Sequence, residues 1–142
     1  MRFWDSSGLV PLIILEQSSR PMQEFYDEDA VVLVWWAAQV ECVSALARRE
    51  LLGATPERTV EALGRLDELA LSWQEVGPTE AVRGTARRLL RVHDLRASDA
   101  LQLAAALVAS EGSPESLELV TLDDRLADAA RREGFRILPT GL

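Results

Sequence analysis

Short apolar runs rich in β-branched and aromatic residues alternate along this chain with longer segments of helical period. Residues 1–5 (MRFWD) read as a strand ending in an acid, and residues 30–36 (AVVLVWW) as a strand covered on both faces, because no polar residue interrupts the run. Residues 72–76, 117–121 and 135–138 supply three more short strands. Strands this short, each followed by a helix-period segment, predict a parallel sheet with helices on both faces, in a single α/β domain over residues 1–142. No repeat, low-complexity tract or linker divides the chain.

The intervening helices follow from caps and periodicity. Ser6 or Ser7 caps a helix to about Gln17, and Pro21 starts a short one. Residues 38–52 form an amphipathic helix with Val40, Val43, Ala47 and Leu51 as its inward stripe and Gly53 closing it. Residues 56–71 place Val60, Leu63, Leu66 and Ala70 inward. Further helices are read at 79–92, from Ser98 or Asp99 to about 111, and at 123–133, with a turn at 112–115.

Composition removes whole classes of chemistry. All fifteen basic residues are Arg, so Schiff-base catalysis, P-loop nucleotide binding and a receiver-domain lysine are excluded together. One histidine, His93, leaves little for a His-rich metal site, and no Gly-x-Ser-x-Gly elbow is present. His93 is expected at a helix end, and the lone Cys42 in the core. A single cysteine, no signal-peptide pattern and apolar runs too short to span a bilayer suggest a cytoplasmic protein without a membrane segment. The net charge of −8 opposes gripping RNA through a broad basic face, so any nucleic-acid role must act locally.

The reactive side chains that remain are carboxylates, and their positions are suggestive. Ligands of open α/β sheets bind outside the carboxyl ends of the strands. Asp5 ends the first strand, Asp123 and Asp124 follow the fourth, Glu41 lies early in the helix after the second, and Asp99 stands at a helix start. Each also has a bland explanation. Asp99 with Gln102 and Thr121 with Asp124 have capping-box spacing, acids in a first turn favour the helix dipole, and Glu41 fits a solvated face shared with Arg48. Asp5 is harder to dismiss, since a carboxylate ending an apolar strand is costly to bury alone. Two unit charges ~4 Å apart repel by roughly 4 kcal/mol at an effective dielectric of 20. Converging acids therefore either hold protons or bind a divalent cation, and all-oxygen ligation suits Mg²⁺ or Mn²⁺.

Four stretches resemble the PIN-domain family, and within it the VapC-type toxins: FWDSSGLVPLIILE at 3–16, VECVSALARRE at 40–50, LRASDALQLAAAL at 95–107 and TLDDRLADAARREGF at 121–135. The resemblance implies a three-layer α/β/α fold around a parallel sheet of four to five strands. It implies a Mg²⁺- or Mn²⁺-dependent endoribonuclease, with Asp5, Glu41, Asp99 and Asp123 as metal ligands and catalytic acids. Ser6, Thr121 and Asp124 would lie peripheral to the metal. It also implies an RNA substrate, a homodimer and an antitoxin from the adjacent gene. Hydrolysis by metal-activated water predicts 5′-phosphate and 3′-hydroxyl ends. The alternative is a PIN-like domain that binds RNA or a partner without cutting. A haloacid-type phosphatase using Asp5 is disfavoured, because Ser7 stands where that pattern requires a second Asp.

Two departures from the family pattern stand out: Pro11 within the first helix, and Trp35-Trp36 closing the second strand. The Trp pair reads as core or interface, or alternatively as a stacking platform for an unpaired base. Arg48 and Arg96 are either structural ion-pair partners or steer backbone phosphate. Residues 83–91, with Arg87-Arg88, read as a solvated face or a docking surface.

Overall fold

The computed structural model describes residues 1–140. Within them β1 (Arg2–Trp4), β2 (Val32–Trp35), β3 (Gln74–Val76), β4 (Glu118–Val120) and β5 (Arg136–Leu138) form one sheet in the order β3-β2-β1-β4-β5. Every neighbouring pair is parallel, with Phe3 opposite both Leu33 and Leu119, and Leu119 opposite Ile137. The helices are α1 (Ser6–Ile13), α2 (Ser19–Glu28), α3 (Ala38–Leu51), α4 (Pro56–Ser72), α5 (Glu80–Val92), α6 (Ala97–Ala109) and α7 (Asp124–Arg132). A single 3₁₀ turn, Pro114–Ser116, leads into β4. The alternation in the sequence thus becomes a three-layer α/β/α fold, because parallel neighbours need crossovers and the crossovers are helices.

The strand alternation sorts the core into two layers. Trp4, Val32, Val34 and Val120 point to one face, where Leu9, Ile13, Met22, Leu46 and Leu66 from α1–α4 cover them. Phe3, Leu33, Trp35, Leu119 and Ile137 point to the other, under α5–α7. Connections that run outward from β1 to β3 thus lie on one face, and those that return through β4 to β5 lie on the other. That division follows from right-handed crossovers reversing direction at β1. Phe3 and Trp4 are wholly buried, each contributing roughly 1.5–3 kcal/mol by burial, and Trp4→Ala is expected to cost about 3–5 kcal/mol. Among the described residues no helix is long and apolar enough to cross a membrane.

Several local expectations are corrected. The inward stripe of α3 is Ala38, Cys42 and Leu46, whereas Val40, Val43, Ala47 and Leu51 are all exposed. The short connection from β2 puts Ala38 against the sheet and so fixes the phase of the helix; the larger apolar residues fall on its outer side. In α4 the buried positions are Ala62 and Leu66, while Val60 is exposed. Helix α1 stops at Ile13 instead of reaching Gln17, and Asp5, not Ser6 or Ser7, occupies its N-cap position. Pro11 lies inside α1, buried among its apolar residues.

Candidate active site

Because all five strands are parallel, their carboxyl ends share one edge of the sheet, and β1 beside β4 is where the chain's direction across the sheet reverses. That crevice is where open α/β sheets hold ligands. Asp5 extends the ladder there, its amide donating to the Val120 carbonyl at 3.0 Å. The carboxylate is only 4% exposed. Its Oδ2 accepts from the Ser7 hydroxyl at 2.6 Å and the Thr121 hydroxyl at 2.9 Å. Ser7 Oγ in turn accepts the Leu122 amide at 2.9 Å, and Thr121 Oγ1 accepts the Asp123 amide at 3.1 Å. Ser7 therefore ties the end of β1 to the end of β4.

Gly8 permits this close approach. A Cβ there would lie 3.2 Å from Val120 Cγ1 and 3.4 Å from the Val120 carbonyl oxygen, so the first turn of α1 seats on β4 at a distance that a larger residue would widen by a few tenths of an ångström.

Glu41 reaches the same region from the first turn of α3. Its Oε1 accepts from the Gln102 amide at 2.6 Å and from the Ser6 hydroxyl at 3.0 Å, and Ser6 Oγ lies 3.4 Å from Asp5 Oδ1. The solvated-face reading of Glu41 is thereby overturned, since the side chain is half-buried and its partners come from α1 and α6. Asp99 occupies the first turn of α6, whose N-cap is Arg96. The capping-box reading of Asp99 with Gln102 fails too, because Gln102 is buried and committed to Glu41. Asp123 is the N-cap of α7, accepting the Leu126 amide at 3.0 Å, while Asp124 is exposed one residue further on.

The electrostatics agree with the geometry. Burial pushes the Asp5 carboxyl above its ordinary range, and the charge of Asp123 adds to this against the lowering effect of the Ser7 and Thr121 hydroxyls. Burial also raises Glu41, reinforced by Asp5 and Asp99 and opposed by Gln102 and Ser6. Asp99 is raised by burial and by Asp123 and Asp5, with Arg96 opposing. Beneath them the Cys42 thiol is pushed up to about 12, chiefly by burial and then by Glu41 and Asp5. Three acids from three elements, Asp5, Glu41 and Asp99, are thus raised by neighbouring carboxylates, Asp123 being one of those neighbours for Asp5 and Asp99. None of them is in an ion pair among the described residues.

The convergence is looser than the sequence reading expects. Among the described residues no three carboxylate, thiol or imidazole groups are drawn together as a ready ligand set for a metal ion. Three of the four carboxylates are instead held by their own donors: hydroxyls for Asp5, an amide and a hydroxyl for Glu41, a backbone N–H for Asp123. The donor chemistry itself, carboxylate and hydroxyl oxygen throughout, fits a hard divalent cation.

Two residues of the site escaped the sequence reading. Gln102 is the polar interruption in the apolar helix LQLAAAL, which was the available signal; Ser7 had none beyond standing two residues after Asp5. Of the other residues singled out, Trp35 is buried whereas Trp36 is 55% exposed at the acid-bearing edge, the rings packing edge-to-face with centroids 6.4 Å apart. His93 caps the end of α5, its Nε2 2.6 Å from Glu133 Oε2, and Cys42 lies in the core. In the Arg-rich face, Arg83 pairs with Glu80 and Arg88 with Glu133. Neither Arg48 nor Arg96 makes an ion pair among the described residues, which removes their structural reading.

No protein-family model matches the chain, and no curated protein matches it either. Among solved structures it is similar to the crystal structure of PAE2754 from Pyrobaculum aerophilum, at 18% sequence identity and a TM-score of 0.67, over 96% of this chain and 81% of that one. At that identity the likeness establishes the α/β/α fold and nothing further.

Proposed function

We propose that this protein is a Mg²⁺- or Mn²⁺-dependent endoribonuclease of the PIN-domain type, acting as the toxin of a toxin–antitoxin pair. The observation that carries the reading is the group of acids that four elements bring to the switch point of the sheet: Asp5, Glu41 and Asp99, each raised by burial and by neighbouring carboxylates, with Asp123 beside them and no ion pair to any of the four among the described residues. Uncompensated, mutually perturbed carboxylates in a crevice mark functional sites, since stability alone would pair or remove them. These four residues would hold the cation, which when bound supplies water activation and charge neutralisation at phosphorus.

The chain's own groups have distinct tasks. The hydroxyls of Ser7 and Thr121 keep Asp5 in place, and hydroxyl hydrogens rotate to suit whichever oxygen needs them. Gln102 and Ser6 orient Glu41 towards Asp5. Asp124 and Trp36 lie at the margin, Trp36 as a stacking surface for an unpaired base. The resemblance to VapC-type toxins supports an RNA substrate, an antitoxin partner, a homodimer and a cytoplasmic setting.

The test is RNA cleavage by purified protein with Mn²⁺ or Mg²⁺, beside EDTA and Asp99→Asn controls. Metal-dependent cutting that leaves 5′-phosphate ends and is lost in the variant is the expected result; 2′,3′-cyclic phosphate products would rule the mechanism out. A second reading, a PIN-like domain that binds RNA or a partner without cutting, draws on the lack of a ready ligand set. Absence of both Mn²⁺ binding and cleavage of a broad RNA panel would select it.

A further inference from the structure

Two of the acids, Glu41 and Asp99, line a groove of about 610 Å³ between α1 and α3, together with Ser6, Ser44, Arg48 and Ser98 among others. On α3 the lining residues Glu41, Ser44, Ala45 and Arg48 follow the i, i+3, i+4, i+7 pattern, so they form one stripe along a single helix face. At 1.5 Å per residue, the seven-residue interval sets the backbone positions of Glu41 and Arg48 roughly 10 Å apart. The groove also takes in the Glu16–Arg49 ion pair, so among the described residues Arg48 is its one guanidinium not matched by a carboxylate.

Its cations are not equivalent. Arg49 is spent on an ion pair to the Glu16 carboxylate and a hydrogen bond to the Ala45 carbonyl. Arg48 is exposed and, among the described residues, its guanidinium makes no hydrogen bond or ion pair. A long, unpartnered guanidinium on the wall of a groove has its full fork of donors available to an oxyanion.

We infer that the groove binds a short single strand of RNA, with Arg48 holding a backbone phosphate further along the strand from the one presented to the acids. The inference rests on the nuclease reading for the identity of the polyanion. A net charge of −8 opposes gripping a duplex through a broad face, whereas one unpaired guanidinium in a polar groove suits a few nucleotides of an unpaired strand. The hydroxyls of Ser44 and Ser98 add donors without adding charge, and exposed Val40 offers an apolar rim for a base.

The test measures binding of a fluorescein-labelled single-stranded oligonucleotide as a function of salt, in the Asp99→Asn background with Mg²⁺ present. Arg48→Ala is expected to weaken binding alike for all sequences and to reduce the slope of log K against log salt by about 0.7, the loss of one phosphate contact on a single strand. Arg48→Lys restores the slope, and Arg20→Ala, on α2, leaves it unchanged. An unchanged slope in Arg48→Ala overturns the inference, as does failure of the parent to bind RNA, or Arg48-dependent binding of an acidic peptide but not of RNA. Cleavage by the wild-type protein is scored separately. Cutting with no Arg48 effect sinks the groove alone, and an Arg48 effect with neither Mn²⁺ binding nor cutting of a broad RNA panel sinks the nuclease alone.

Discussion

The two ends of the sheet treat charge in opposite ways. At the amino ends of the strands, Arg2 bonds Glu118 at 3.1 Å, Glu28 at 3.2 Å and the Phe25 carbonyl at 2.9 Å. Arg136 joins Glu118 from β5 at 3.6 Å, and the N-terminal ammonium pairs with Asp29. Burial works against the Arg2 charge there, but the pairs with Glu118 and Glu28 outweigh it, and the ammonium holds Asp29 below its ordinary value. At the carboxyl ends, Asp5, Glu41 and Asp99 meet hydroxyls, an amide and one another, and all three are raised. The backbone is the same at both ends, so the contrast lies in what the loops deliver. One end spends its charges on holding the fold together; the other retains carboxylates in no ion pair among the described residues, which an external cation or a proton would balance.

The sharpest way to break this comparison is Asp5→Asn. Under the nuclease reading cleavage falls at least about 100-fold, because the residue matters at least as much as the outer partners whose loss costs 10–100-fold. Stability by urea unfolding at neutral pH is expected to hold or rise, since a buried charge has been removed; a clear loss would place Asp5 with the structural charges. Arg2→Ala is the converse. It leaves Glu118 without its closest partner and should cost about 2 kcal/mol of unfolding free energy with cleavage per folded molecule unchanged.

Ser7→Ala is intermediate. Removing the hydroxyl that joins Asp5 to the Leu122 amide should lower cleavage by roughly 10-fold and stability by about 1 kcal/mol. Activity lost without stability, or the reverse, would assign Ser7 to one role only.

The smallest effects concern pH. Raised carboxyls bind protons more tightly folded than unfolded. The stability they contribute is therefore complete below the ordinary values of 3.8 for Asp and 4.5 for Glu, and is lost as pH rises through the folded values. Asp29 has the opposite sign: its contribution is present above 3.8 and is lost as pH falls. Thermal melts should therefore show the combined Asp5→Asn, Glu41→Gln, Asp99→Asn variant gaining on wild type as pH rises. Asp29→Asn should lose to wild type only above the acid range, by no more than about 1 kcal/mol for so exposed a pair. Mn²⁺ should raise the wild-type melting temperature more at pH 7 than at pH 5, and a rise of equal size at both would argue against the raised acids as its ligands.

The residues alone determined the order of strands and helices, though not the end of α1, that the sheet is parallel, and that acids stand at the ends of β1 and β4 and at the starts of α3 and α6. These are matters of local period and capping, settled between near neighbours in sequence. Other features depended on the assembled sheet: the phase of α3, which Trp of the pair is buried, the freedom of Arg48, and the partners of the acids. Ser6 meets Glu41 across 35 residues, Gln102 meets Glu41 across 61, and Thr121 meets Asp5 across 116. Those distances in sequence close only because the strand order β3-β2-β1-β4-β5 sets β1 directly between β2 and β4, so that side chains with no local reason to meet share one desolvated edge.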